Sequence, residues 1–188
     1  VTETPNPWII DADTLTGGLR PIRRVVIALG SNLGDRAANL QGALNALADT
    51  PDVEVVAVSP VYETAPVGAP EGSPDFLNAV VLVDSTLHAR TLLERVLAIE
   101  DAFGRVRTEP GAPRTLDVDL LVVGDKVVQE DDFVLPHPRA HERAFVLVPW
   151  AAVDRDGVIP GQGRVGDLVR QVDTTTVTRV DGLELKIE

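Results

Sequence analysis

Between residues 25 and 123 the apolar pattern switches between strand and helix spacing in an order that leaves few folds open. "RVVIAL" is a short strand ending in "GSNLGD", after which Ala37, Leu40, Ala43, Leu44 and Leu47 recur at helical spacing and predict a helix over about 35–49. "VEVVAVSPVYET" reads as a second strand and "FLNAVVLVDS" as a third, separated by the Pro- and Gly-rich loop "APVGAPEGSPD". Leu92, Leu93, Val96, Leu97 and Ile99 then mark a second helix, with Gly104 as its stop, and "LDVDLLVV" closes the series as a strand. The resulting order, β-α-β-β-α-β, is the split arrangement of a ferredoxin-like α+β sheet.

The flanks are less constrained. Residues 1–22, with Pro5, Pro7, Gly17, Gly18 and Pro21 and little periodicity, read as an N-terminal extension, which leaves 23–188 as a single domain. "VVGDKVVQ" is expected to turn back on itself as a small hairpin, and "HERAFVLVPWAAV" to be helical up to Pro149 or a little beyond. "TVTRVDGLELKIE" alternates on both sides of Asp181-Gly182, which predicts a C-terminal β-hairpin.

Charge narrows the partners. With 17 Lys and Arg against 29 Asp and Glu the net charge is −12, which argues against nucleic acid or an anionic membrane as partner. There are no cysteines, so thiolate metal sites are excluded. No run of about 18 apolar residues occurs, and a cytoplasmic protein is the expectation.

Against that background Asp117 and Asp119 stand out, because they interrupt an apolar strand and, two residues apart, share one of its faces at a spacing of roughly 7 Å. Like charges so placed need solvent, a cation or a proton. Arg105, Arg107 and Arg114 stand just before them. They either neutralise the acids as a structural ion-pair cluster or clamp phosphates beside carboxylates that hold Mg²⁺. "GSNLG" lacks the lysine of a P-loop and the spacing of a dinucleotide fingerprint, and a strand-to-helix turn capped by Ser31 or Asp35 explains it as well. His137, fixed between Pro136 and Pro138, suits a positioned donor. With aromatic residues at only 4%, Phe76 and Phe145 are either core or a pair of faces for a flat heterocycle.

Taken in order, "ALGSNLGDR", "SPVYETAPVG", "PDFLNAVV", "GRVR", "PRTLDVDLL" and "LPHPRAHERAFVL" resemble the 6-hydroxymethyl-7,8-dihydropterin pyrophosphokinase family of the folate pathway over about residues 25–150. The resemblance implies an α/β/α three-layer sandwich on the ferredoxin-like sheet. It implies transfer of the β,γ-diphosphate of ATP to the hydroxymethyl oxygen of the reduced pterin, releasing AMP. Asp117 and Asp119 would hold two Mg²⁺ ions, and with Arg105 and Arg114 would form the catalytic set. The pterin would lie between Phe76 and Phe145, with Asn78 reading its edge and Thr64, Pro66 and Val67 completing the pocket. Glu100, Arg105, Arg107, Arg114, His137 and Arg143 would serve ATP, although Glu100, on a helix ending "AIED", also reads as a solvated acid. The loops at about 63–75 and 104–114 would be lids. The chain departs from the family in having "EPGAPR" where a tryptophan is common and Phe76 where tyrosine is common. A silent α+β interaction domain and a metal-dependent phosphohydrolase are the alternatives to this reading.

Overall fold

The computed structural model describes residues 20–66, 68–104 and 115–188. The predicted series is present: β1 (Arg23–Ser31), α1 (Arg36–Ala48), β2 (Val53–Val58), β3 (Tyr62–Thr64), β4 (Phe76–Ser85), α2 (Ala89–Ala102) and β5 (Asp117–Val123). Among the described residues all pairings are antiparallel. β4 is central: β1 pairs with it from Arg23↔Ser85 to Ser31↔Leu77, and β5 pairs with the far side of β1. β2 and β3 follow one another along the other edge of β4.

The stretch expected to be one strand, "VEVVAVSPVYET", is thus two, and the break has a local cause. Pro60 has no N–H to give a ladder. At Ser59 the side chain substitutes for the ladder: its Oγ accepts the Val80 N–H at 2.9 Å and donates to the Pro60 carbonyl at 2.7 Å. The Ser59 N–H still donates to the Val80 carbonyl at 2.9 Å.

Both faces of the sheet are covered, which is why β1 and β4 read as near-continuous apolar runs rather than as alternation. On one face Val25, Ile27, Leu29, Val81 and Val83 meet Leu40, Ala43, Leu44 and Leu47 of α1 and Leu92, Val96 and Ile99 of α2. On the other, Val26, Val80 and Leu82 meet Val146, Leu147 and Trp150. These last come from α3 (Ala144–Val153), which starts only after a separate 3₁₀ turn at Ala140–Glu142 and runs through Pro149. Each fully buried leucine or isoleucine here contributes about 1.5–3 kcal/mol. α1 is capped by Asp35, whose carboxylate accepts the Ala38 N–H at 3.1 Å, and α2 is followed by Gly104 at φ 74°.

Two expected hairpins are corrected. The chain does turn at Gly124-Asp125, but β6 (Val128–Glu130) pairs with β7 (Phe133–Leu135) rather than with β5. Arg90 of α2 holds that ribbon, bonding to Glu130 and Asp132 and lying 5.1 Å from the Phe133 ring centroid. Beyond α3, β8 (Val158–Ile159) and β9 (Gly163–Arg164) form a small ribbon that leads into α4 (Val165–Leu168). β10 (Val177–Arg179) then adds to the outer edge of β3. The Asp181-Gly182 turn forms, yet no return strand follows. Residues 183–188 cross to α1 instead, where Leu185 is buried and Gln41 both accepts from the Lys186 N–H at 2.9 Å and donates to its carbonyl at 2.8 Å. Apolar cover on α1 thereby replaces a strand partner. Among the described residues no helix is long and apolar enough to cross a membrane.

Candidate active site

Val118 and Leu120 of β5 belong to the core beneath α1 and α2, so alternation turns Asp117 and Asp119 to the opposite face. There Asp117 pairs with Gly30, and Gly30 pairs in turn with Asn78. Three neighbouring strands therefore offer an acid, a bare backbone and an amide side by side. A Cβ at Gly30 would stand 3.1 Å from Asn78 Oδ1 and 3.7 Å from Asp117 Cβ, so the missing side chain is what leaves room between them. Above lies a cavity of about 410 Å³ whose walls include Thr64, Pro66, Phe76, Asn78, Asp117, Asp119, Arg143 and Phe145.

Glu100 reaches the same acids from behind. Among the described residues β5 is an edge strand, and its Val118 N–H donates to Glu100 Oε1 at 2.8 Å. The reading of Glu100 as a solvated acid fails: it is 1% exposed. One carboxylate oxygen from each of Glu100, Asp117 and Asp119 lies within 4.8 Å of the other two. Three hard oxygen donors so close together match the preferences of Mg²⁺, and their mutual repulsion favours a divalent cation between them.

The aromatic and amide residues of the cavity are held differently. Phe76 and Phe145 are half-buried at the cavity wall. Phe76 belongs to neither core, while Phe145 also packs against the edge of the second one, so the reading of both as core fails for Phe76 and holds in part for Phe145. Asn78 is 6% exposed, and its Nδ2 donates to Thr64 Oγ1 at 2.7 Å, which orients the amide. The Arg143 guanidinium lies 5.4 Å from the Phe145 ring centroid, so cation and ring share one wall.

His137 is half-buried and stands beside this wall, not among the residues lining the cavity. Leu121 is skipped in the β1–β5 register, and its carbonyl accepts the His137 N–H at 2.8 Å. The ring Nδ1 accepts the Arg139 N–H at 3.2 Å, which leaves the proton of the neutral imidazole on Nε2. Burial, then the Arg143 and Arg139 charges, push the imidazole pKa down; Asp117 opposes them. His137 is therefore a neutral donor near pH 7.

Sequence reasoning did not single out Gly30, Arg139 or Glu142 as cavity residues, nor Asp173, Thr176 and Val177, which wall the cavity from the C-terminal segment. The signal for Arg139 and Glu142 was their place in "LPHPRAHERAF"; for the C-terminal wall it was the alternation of "TVTRV". Val67, Arg105, Arg107 and Arg114, and the extension up to residue 19, lie outside the described residues.

A family model described as 7,8-dihydro-6-hydroxymethylpterin-pyrophosphokinase (HPPK) matches residues 26–155. Among curated relatives, the 2-amino-4-hydroxy-6-hydroxymethyldihydropteridine pyrophosphokinase of Synechocystis is 42% identical over 162 residues, covering 85% of this chain and 82% of its own. The proteins of the same name from Methylorubrum extorquens and Mycobacterium leprae are each 44% identical, covering 84% and 86% of this chain and 99% and 88% of theirs. Among solved structures, wild-type Plasmodium falciparum HPPK-DHPS with STZ-DHP aligns with a TM-score of 0.63 at 14% identity, over 80% of this chain and 43% of that one. A variant with SDX-DHP aligns at 0.67 and 13%, over 90% and 51%. This chain thus spans about half the length of those structures, and the likeness at such identity concerns the fold.

Proposed function

The chain belongs to the 7,8-dihydro-6-hydroxymethylpterin-pyrophosphokinase family, and from that premise we propose that it transfers the β,γ-diphosphate of ATP to the hydroxymethyl oxygen of 6-hydroxymethyl-7,8-dihydropterin, releasing AMP, as a cytoplasmic step of folate biosynthesis. The observation that carries the reading is the meeting, in one cavity, of paired carboxylates with an aromatic and amide pocket. Within the same proposal, 23–188 is one catalytic domain behind a 1–22 extension. Its fold is ferredoxin-like in three layers, which the sheet order and the apolar cluster on each face support.

The pterin ring lies between Phe76 and Phe145, and Asn78, oriented by Thr64, reads its polar edge with the backbone at Pro66 and Val67. This places the hydroxymethyl group toward β5. Asp117 and Asp119, with Glu100 beside them, would hold two Mg²⁺ ions, which when bound neutralise phosphate charge and ease deprotonation of an alcohol. Arg105, Arg107, Arg114 and Arg143 supply fixed guanidinium charge to the triphosphate, and His137 donates from Nε2–H. Excluding water matters because hydrolysis would compete with transfer.

Titration calorimetry tests this with a nonhydrolysable ATP analogue. The analogue should bind only with Mg²⁺, more tightly with the pterin present, and not to Asp119→Ala. Binding indifferent to both Mg²⁺ and pterin would instead mark a silent interaction domain.

A further inference from the structure

Behind the sheet, one guanidinium ties together the two strand ends from which the pterin side of the cavity is built. Arg36, the first residue of α1, donates from Nη1 to Glu63 Oε2 at 2.8 Å and to the Asp75 carbonyl at 2.9 Å. Glu63 precedes Thr64 in β3, and Asp75 precedes Phe76 in β4. The β3–β4 ladder is three pairs long and stops at Thr64↔Phe76, where the loop of residues 65–75 leaves and returns. Alternation sends Glu63 to the back, opposite the core residue Leu77, while Thr64, Phe76 and Asn78 face the cavity. Arg36 therefore bridges the base of the loop from the far side. The Asn32 Nδ2 donates to the Pro74 carbonyl at 3.3 Å and anchors the same returning limb.

The post itself is firm, since α1 is capped by Asp35 and buried along Leu40, Ala43, Leu44 and Leu47. The ion pair is 32% and 40% exposed, so it adds little to global stability. Its effect is local. We propose that Arg36 is a positioning residue for pterin binding, fixing the base of the 65–75 loop so that Thr64, Pro66 and Phe76 keep their places. This rests on the pterin reading of the cavity.

Steady-state kinetics and loop proteolysis together decide it. Arg36→Met should raise the KM for the pterin about tenfold while the KM for ATP and kcat change by less than about twofold. Arg36→Lys, which keeps the charge, should restore much of the loss, and Glu63→Gln should shift the pterin KM in the same direction by less. Independently of catalysis, Glu71 within the loop is a target for a glutamyl endopeptidase, and its cleavage in Arg36→Met should be about tenfold faster with other sites unchanged. An unchanged pterin KM, equal shifts for both substrates, or unchanged cleavage at Glu71 overturns the proposal. If the wild type binds no pterin, the cavity reading falls and Glu71 cleavage still judges the clamp. Should Arg36→Met not fold, Arg36→Lys and Glu63→Gln carry the same comparison.

Discussion

Gly30 joins the two halves of the site, because its neighbours across the ladders are Asn78 on one side and Asp117 on the other. Gly30→Ala would push a methyl group to 3.1 Å from Asn78 Oδ1, so the amide must give way. We expect a pterin KM raised about tenfold. An unaltered pterin KM would mean the amide does not read the ring. The His137 imidazole makes a second prediction. Its folded pKa lies below the ordinary value of about 6.5, so the unfolded chain takes up that proton first. The stability involved is fully present above about pH 6.5 and is lost as pH falls through the lower folded pKa. Urea unfolding from about pH 7 to 5 should show a decline that is smaller in His137→Gln; parallel curves would contradict the assignment.

Among the elements, the broken β2–β3 edge shows side-chain chemistry taking over from a ladder. Ser59→Ala removes the acceptor of the buried Val80 N–H, and should cost about 1–3 kcal/mol in urea unfolding. A change near zero would show that water replaces the hydroxyl. Between 25 and 123 the two helices were legible from a period of 3.6 and β1 and β4 from apolar runs buried on both faces, whereas the break at Ser59-Pro60 was not, because it depends on the Val80 N–H that the serine side chain meets. The two hairpins were not, because a turn dipeptide such as Asp181-Gly182 specifies a reversal and not the surface that awaits the returning chain. Here α1 offered Leu185 a core and Gln41 a pair of hydrogen bonds. Asp117, Asp119, Phe76, Asn78 and Phe145, singled out by residue type and motif, all line one cavity. Glu100 was not placed with the acids, since its partner is an edge-strand N–H that exists only once the sheet order is known.

For the whole molecule, a net charge of −12 opposes a polyanionic nucleotide, so affinity for ATP must come from cations gathered locally. Chelating Mg²⁺ should therefore weaken nucleotide binding by about a hundredfold or more, measured by calorimetry with and without EDTA; a loss under about threefold would leave the carboxylate cluster without that role. The two cores meet across one sheet, and the site opens where the sheet's cavity-facing side runs out of apolar side chains and turns to Asp117, Gly30 and Asn78. The most direct measurement is mass-spectrometric product analysis after incubating the purified protein with ATP, Mg²⁺ and 6-hydroxymethyl-7,8-dihydropterin. Equimolar AMP and pterin diphosphate, both absent for Asp117→Ala and Asp119→Ala, are the predicted result. Inorganic phosphate or diphosphate without the pterin diphosphate, or turnover that survives loss of either aspartate, would contradict it.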